Sequence, residues 1–307
     1  ARGSIMNRKG SEHRMSMTST ARVERMHSMS RRRRIGTVVY HVIVATLSIG
    51  MLYPLMWLIA SSFKPNTEIF VTVNSLIPKT FTVENYVNGW RGFAGLSFAV
   101  YFKNSLFVAL MATIGSVFSA AVVAFGLARL RFPGRQFWFV CMIVTMMLPG
   151  QVMMIPRFVL FNEMGWVGTF LPLIVPAFFG GAFNIFLIMQ FIRGIPRDMD
   201  EAARIDGCSW YGIFLYIMLP MIVPALVTVG ILTFINSWGD FMGSLLYLNA
   251  PRRYTVAYAL KLFTDSAGTD YGATFAMSAL SLVPVLIIFF FFQKQLVEGI
   301  STQGIKG

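Results

Sequence analysis

The chain has 307 residues, of which 56% are hydrophobic and 13% are charged, and its mean hydropathy is +0.64. This composition lies far outside the range of soluble proteins and indicates a protein that crosses a membrane several times. The net charge is +13, but residues 1–34 hold ten Lys/Arg against two Asp/Glu, so most of the excess lies at one end. No aromatic platform or folded basic face accompanies that charge, which argues against nucleic-acid binding.

Residues 1–34 lack hydrophobic periodicity and are predicted to form a disordered, basic, cytoplasmic segment. Because the chain does not open with Met, its first residues are consistent with a remnant of expression. Four arginines, 31–34, directly precede the first apolar run, as expected at the cytoplasmic end of a span. That run is too long for the apolar core of a signal peptide, so we expect a membrane helix there.

Six apolar runs are long enough to cross a bilayer. They cover residues 35–61, 104–128, 137–161, 169–192, 212–236 and 273–292. Because the chain changes sides with each span, the Lys/Arg clusters between them all fall on one side of the membrane. These clusters lie at positions 31–34, 129–135, 193–204 and 294–306. The six runs predict an all-α protein with six transmembrane helices over residues 35–294 and a C-terminal tail over 295–307. The positive-inside rule places both termini in the cytoplasm.

A short polar stretch between the fourth and fifth runs is predicted to form a two-turn helix. Asp198 can cap its N-terminus, and Glu201 lies where a capping box places a carboxylate. Asp200 and Arg204 have the i,i+4 spacing of an ion pair. Gly207 is the residue type that ends a helix in the left-handed conformation. These features alone also fit an ordinary linker helix between two spans.

The same stretch resembles the loop signature of permease subunits of bacterial ABC importers. The matching residues are Glu201, Ala202, Ala203, Gly207, Ile217, Met218, Leu219 and Pro220. The resemblance implies that the helix over 198–207 docks in a cleft of a separate ATPase subunit and couples ATP hydrolysis to transport. The residues to which it assigns this coupling are Glu201, Ala202, Ala203, Asp206 and Gly207.

Three further stretches are similar to the carbohydrate branch of this family: SLIPKTFTVENY at 75–86, LARLRFPGRQ at 127–136 and QLVEGISTQGIKG at 295–307. The resemblance therefore covers residues 35–307 and implies a type I ABC importer permease fold in a bacterial inner membrane. It also implies that Gly304 and Lys306 lie in a tail that reaches the ATPase interface. Within the family, the chain looks like the permease of an alginate-oligosaccharide importer, and next like maltodextrin-type permeases.

The second run carries a small residue at every fourth position, which makes one smooth stripe along a helix. Its members are Ala112, Ser116, Ala120, Ala124 and Ala128. Small residues let helix backbones approach closely in lipid. We predict that this stripe packs against another helix of the same chain.

The third, fourth and fifth runs contain helix-breaking residues: Pro149, Gly150, Pro156, Pro172, Pro176, Gly180, Gly181, Pro220 and Pro224. Broken helices with amide side chains are tolerated where they line a water-filled path, although prolines also kink helices for packing. Asn184 and Asn236 are therefore candidates for the substrate path. Trp238 offers a flat surface for a sugar, or alternatively belongs to the interfacial aromatic belt. The family usually has an amide where this chain has Gly239.

Arg157 follows Pro156 inside the third run, where a charge is costly unless it faces protein or water. One interpretation is that it attracts the carboxylate of an acidic oligosaccharide, because a guanidinium holds a carboxylate with two parallel hydrogen bonds. The alternative is a structural arginine that snorkels outward or pairs with Glu163 or Asp240. The substrate could then be a neutral sugar.

The sequence lacks a Walker A motif, a plausible metal cluster and an intramembrane nucleophile–base pair, so we expect no catalytic activity and no metal or cofactor in this chain. The resemblance implies a second permease, two ATPase subunits that bind ATP and Mg²⁺, and an external solute-binding protein as partners, with lipid around them. An ion-coupled secondary transporter is the rival prediction, but the six runs contain no carboxylate. A membrane scaffold would leave the polar helix and the broken spans unexplained.

Overall fold

The computed structural model describes residues 36–266 and 270–301. The predicted N-terminal segment 1–34 and the tail residues Gly304 and Lys306 lie outside the described residues. The described residues are mostly helical and contain no β-strand apart from one isolated bridge between Phe93 and Leu96. The predicted all-α class is confirmed.

Fifteen α-helices occur in the described part of the chain. They are α1 (Gly36–Ser62), α2 (Asn66–Ile69), α3 (Glu84–Arg91), α4 (Phe98–Arg129), α5 (Arg135–Met147), α6 (Met154–Glu163), α7 (Leu171–Ile174), α8 (Ala182–Gly194), α9 (Asp198–Ile205), α10 (Trp210–Gly212), α11 (Leu219–Met221), α12 (Val223–Trp238), α13 (Phe241–Tyr247), α14 (Val256–Ser266) and α15 (Tyr271–Ser301). Two 3₁₀ turns, Val175–Phe179 and Pro251–Arg253, and a π-helical stretch, Ile213–Met218, join some of them.

The chain divides after Leu58 into two compact units. The described part of the first unit is a single apolar helix, most of α1, which has the length and hydropathy of a membrane span. The second unit, from Ile59 onward, contains all the other helices and both hydrophobic cores.

Helix α4 is the centre of the second unit and packs against α8, α12 and the Val175–Phe179 turn. Its predicted stripe of small residues is buried: Ala112 4% exposed, Ser116 3%, Ala120 0%, Ala124 0% and Ala128 3%. The neighbouring Ile188 and Met189 of α8 and Val229 of α12 belong to the same core as Ala120 and Ala124. The stripe therefore packs against helices of the same chain, as predicted.

The described residues contain fewer spans than the six predicted, namely four, or five if one bent pair is counted as a span. The four are the helices Gly36–Ser62, Phe98–Arg129 and Tyr271–Gln295 and the segment Leu171–Gly194, which Gly180 interrupts. The fifth predicted run is a pair of helices bent by 74° at Ile222, between Pro220 and Pro224. The third run is two shorter helices, α5 and α6, because Pro149 and Gly150 interrupt it.

Two prolines do not break their helices. Pro156 lies in the first turn of α6, where its missing N–H costs no intrahelical hydrogen bond. Pro284 lies inside α15, which continues without interruption. In the fourth run, by contrast, Gly180 has φ +81°, so the helix restarts at Ala182.

The loop between α1 and α3 is organised by a buried lysine. Lys64 is fully buried, and its Nζ donates hydrogen bonds to the carbonyls of Thr72 at 3.0 Å and Ser75 at 2.6 Å. The Glu68 carboxylate accepts from the amide of Lys79 at 2.7 Å, a bond that lowers the pKa of Glu68 below its ordinary value. These contacts fix the loop that carries the SLIPKTFTVENY stretch.

Candidate functional site

The polar helix α9 forms where the sequence predicts it, but its N-terminus differs from the prediction. Asp198 is the first helical residue and not the cap, because the N-cap is Arg197, which provides no side-chain hydrogen bond. The amide of Glu201 donates instead to the carbonyl of Arg197 at 3.1 Å, within the helix. No capping box forms at this end. The carboxylates of the first turn remain favourable through the helix dipole.

The C-terminus of α9 ends as predicted. Gly207 has φ +81°, and its amide donates to the carbonyl of Arg204 at 3.1 Å. The amide of Cys208 reaches back to the carbonyl of Ala203 at 2.9 Å. This pair of bonds is a Schellman motif, which needs a left-handed residue at the position of Gly207.

One face of α9 is anchored to the end of α4. Asp200 and Ala203 are buried, and the Asp200 carboxylate lies 3.1 Å from Nε of Arg129, which is also buried. Nη2 of Arg129 donates to the carbonyls of Ile192 at 2.9 Å and Ile195 at 2.7 Å. A single arginine thus joins α4, the end of α8 and α9.

The predicted pair of Asp200 with Arg204 does not form. Arg204 lies over the ring of Trp210, with its Cζ 4.9 Å from the ring centroid. Arg129 competes better for Asp200, since both groups are buried and attraction between charges is stronger away from water. Burial raises the pKa of the Asp200 carboxyl above its ordinary value, and the Arg129 guanidinium opposes that rise.

The opposite face of α9 is exposed. Of the residues to which the resemblance assigns coupling, Glu201, Ala202, Asp206 and Gly207 are exposed, whereas Ala203 is buried against α4 and its neighbours. Ile205 between them is 85% exposed. The site therefore divides into a fixed face, with Asp200 and Ala203, and a free face that is partly apolar.

Arg157 lies on α6 and is exposed. It lines a cavity of about 270 Å³ together with Asp240, Tyr247, Pro172 and Pro176. Within the described residues, Arg157 makes no ion pair with Glu163 or Asp240. The Asp240 carboxylate accepts instead from the amide of Gly243 at 2.8 Å and so caps α13. The cavity thus combines an unpaired guanidinium with walls from two broken runs.

Asn184 holds helices together. Its amide group donates to the hydroxyls of Ser116 at 2.8 Å and Thr233 at 3.2 Å, and so connects α8 to α4 and α12. Such interhelical bonds stabilise packing in the membrane. Asn184, which the sequence made a candidate for the substrate path, therefore has a structural role in this conformation.

Asn236 and Trp238 lie close in sequence but in different environments. Asn236 is exposed near the end of α12. Trp238 is only 6% exposed, its Nε1 donates to the carbonyl of Ser281 at 3.0 Å, and its ring stacks on Phe234 at 5.8 Å. Trp238 is therefore a core residue, which corrects the prediction of a sugar-stacking surface. The aromatic-belt alternative fails for the same reason.

The pairing of Arg129 with Asp200 is the part of the site that sequence reasoning missed. Arg129 counted there only as one of the cytoplasmic charges. One signal was present, because Arg129 ends an otherwise apolar helix whose small-residue stripe leads directly to it. Its partner, 71 positions later, could not be identified without the fold.

Comparison with known proteins gives the family. The model of the binding-protein-dependent transport system inner membrane component matches residues 116–302. The probable ABC transporter permease YurM of Bacillus subtilis is 35% identical over 274 residues, which are 89% of this chain and 90% of that protein. The arabinooligosaccharide permease AraQ of Halalkalibacterium halodurans is 34% identical over 257 residues, 83% and 91% of the two chains.

The galactooligosaccharide permease GanQ of Bacillus subtilis is 32% identical over 283 residues, 91% of this chain and 99% of that one. A chain from the crystal structure of a bacterial ABC transporter involved in the import of the acidic polysaccharide alginate matches with a TM-score of 0.73 at 22% identity. The match covers 85% of this chain and 96% of that chain. It confirms the predicted type I permease fold. The protein belongs to the inner membrane components of binding-protein-dependent transport systems.

Proposed function

We propose that this chain is the permease subunit of an ATP-driven importer that moves an oligosaccharide across the bacterial inner membrane. The related proteins AraQ and GanQ are permeases of arabinooligosaccharide and galactooligosaccharide transport systems. An ion-coupled mechanism loses support, because the family is one of binding-protein-dependent systems. The partners that follow are a second permease, two ATPase subunits that bind ATP and Mg²⁺, and an external binding protein.

The proposed coupling role of α9 rests on one observation: one face of this helix is buried and the opposite face is exposed. Its inner face is held by the buried Arg129–Asp200 pair, so the helix is fixed to the transmembrane core. Its outer face exposes Glu201, Ala202 and the 85% exposed Ile205. A helix that is anchored on one side and free on the other can transmit movement between a docked ATPase and the spans. We infer that α9 lies on the cytoplasmic side of the membrane.

Substitutions on the free face should uncouple transport, and two matched controls are available. Glu201→Ala removes a first-turn carboxylate from α9, and Glu84→Ala removes an equivalent one from α3. Gly207→Val and Gly95→Val both place a side chain at positive φ, where no described atom lies within 4 Å of the new Cβ. Each glycine change costs roughly 1–2 kcal/mol of backbone strain.

We expect Glu201→Ala and Gly207→Val to lower substrate-stimulated ATPase activity about tenfold in the complex purified from membranes, since an interface residue of this kind contributes roughly 1–2 kcal/mol. Glu84→Ala and Gly95→Val should retain most of the stimulation. Mass spectrometry of the copurified subunits would identify the ATPase. Normal stimulation in both α9 variants, with uptake intact, would refute the role of α9 in coupling.

The surroundings of Arg157 bear on the class of oligosaccharide. Arg157 is unpaired among the described residues and lines a cavity at the broken third and fourth runs, which favours an acidic, alginate-type oligosaccharide. A neutral oligosaccharide is the second candidate, because the relatives are named for arabino- and galactooligosaccharides, whose sugars carry no charge.

Arg157→Gln distinguishes the two candidates. If the substrate is acidic, uptake of an acidic oligosaccharide should fall at least about tenfold while uptake of a neutral one changes little, since a charge-assisted bidentate contact contributes about 1.5–3 kcal/mol. Arg252→Gln, another exposed arginine, serves as the control. An equal loss for both sugars, or loss of complex assembly, would assign Arg157 to structure and favour the neutral candidate.

A further inference from the structure

A second cluster of arginines lies beside α9, where α4 and α8 end and α5 begins. One cavity of about 370 Å³ is lined by Arg129, Arg135, Arg193 and Arg197 together with four uncharged residues. None of these lining residues is acidic, whereas the neighbouring cavity on α9 includes Asp200 and Glu201. We call this cavity the arginine pocket. Four guanidinium groups without a carboxylate in the lining create a local excess of positive charge.

Only one of the four arginines is neutralised inside the described structure. Arg129 pairs with Asp200 and donates to two backbone carbonyls. Arg197 acts on Asp200 only at longer range, beyond ion-pair distance.

The remaining two arginines have weak partners. Nη1 of Arg135 lies 3.4 Å from the carbonyl of Leu130, and the guanidinium of Arg193 lies 5.2 Å from the ring centroid of Phe139. No described carboxylate is within ion-pair distance of either side chain. Most of their hydrogen-bond donors are therefore available to an anion.

The arginine pocket lies at the ends of two apolar helices, where a membrane surface is expected. Arg135 is the first residue of the apolar helix α5, and Arg193 is in the last turn of the span that ends with α8. In the first turn of the same helix, Phe137 is 64% exposed and Trp138 is 60% exposed. Exposed aromatic rings at the end of a membrane helix mark the depth of the lipid headgroups.

We propose that the arginine pocket binds the phosphate group of an anionic phospholipid. Guanidinium groups form paired hydrogen bonds with phosphate oxygens, and basic pockets between spans suit anionic headgroups. Free inorganic phosphate offers the same chemistry, but the exposed Phe137 and Trp138 beside the pocket favour a ligand that also has acyl chains. The site does not depend on the transported substrate.

Lipid titration of the purified full-length chain, with its copurified subunits, tests this site. Native mass spectrometry would compare binding of phosphatidylglycerol and of phosphatidylcholine with the same acyl chains. The test variant is Arg135→Gln/Arg193→Gln. The control is Arg252→Gln/Arg253→Gln, which removes two exposed arginines from the Pro251–Arg253 turn.

We expect wild type and control to prefer phosphatidylglycerol, and the test variant to bind it at least about tenfold more weakly, as loss of two cations near an anionic surface predicts. Millimolar inorganic phosphate should not displace the lipid. If the Gln variant unfolds, Arg135→Lys/Arg193→Lys keeps both charges but loses the forked geometry, and a reduced preference for phosphatidylglycerol in that variant would support the site.

Three results would overturn the proposal. Equal phosphatidylglycerol affinity in test and control variants would show that the pocket does not hold the lipid. Displacement by inorganic phosphate would make a free anion the ligand. Loss of a copurified subunit from the test variant, with lipid binding unchanged, would assign the arginines to an acidic surface of a protein partner.

Discussion

At the scale of single residues, Arg129 has the largest structural effect in the candidate site. It is 6% exposed, yet it carries a charge at the end of a span, and it uses Nε and Nη2 to reach a carboxylate and two carbonyls. Ile195 lies just after the end of α8, where carbonyls lack intrahelical partners, whereas the carbonyl of Ile192 also accepts from the amide of Ile195 at 3.1 Å. Arg129 therefore supplies hydrogen-bond donors to the end of α8 and holds α9 with the same guanidinium.

Arg129→Gln should destabilise the protein strongly, because it leaves Asp200 buried without its counter-charge. Breaking a buried ion pair from one side costs about 3–5 kcal/mol. Arg131→Gln removes an exposed arginine two residues away and should cost no more than about 0.5 kcal/mol. Thermal unfolding of the purified protein checks both variants. Similar unfolding temperatures for the two would contradict the role of Arg129.

At the scale of elements, the loop between α1 and α3 depends on one long side chain. Lys64 places its ammonium group among the oxygens of Thr72 and Ser75, and Asn85 of α3 donates to the carbonyl of Lys64 at 2.8 Å. A buried ammonium group is costly without such partners. The loop is thus folded around a polar centre instead of an apolar one.

Lys64→Met should loosen this loop, because three acceptor oxygens lose their donor and a buried unsatisfied group costs roughly 1–3 kcal/mol. Lys79→Met, in the same loop but with an exposed side chain, is the matched control. Limited proteolysis should cut Lys64→Met between residues 65 and 82 several times faster than wild type. Unchanged protection in Lys64→Met would mean that the loop has other, sufficient supports.

At the scale of the whole molecule, the packing of the second unit depends on the close approach of other helices to α4. Ala120 and Ala124 have no exposed surface, and Gly115 leaves space that the ring of Phe178 occupies. The broken runs pack against this smooth helix, and Ser116 supplies a polar contact for Asn184. A long unbroken helix thus supports several short ones.

Ala124→Leu should disturb that packing, since adding a large side chain to a closely packed core costs about 1–3 kcal/mol. Val123→Leu is the control, because Val123 is 39% exposed on the same helix. We expect Ala124→Leu to lower the thermal unfolding temperature and the yield of purified protein, with little change in Val123→Leu. The same small effect in both variants would argue against α4 as the packing centre.

The sequence by itself determined the class, the family and the positions of the main elements. Hydropathy located the apolar runs, glycine at position 207 marked the end of α9, and the spacing of small residues identified the packed face of α4. These are local properties, because helix periodicity and left-handed glycines act over a few residues. The family signature is equally local.

Only the tertiary structure decided which polar groups are partners. Asp200 pairs with Arg129, 71 residues away, and not with Arg204 on its own helix. Asn184 and Trp238 were predicted to face a substrate, yet both contact other helices of the same chain. The physical reason is that a buried polar group takes whichever partner the packed helices bring within about 3 Å, and sequence spacing does not encode that distance.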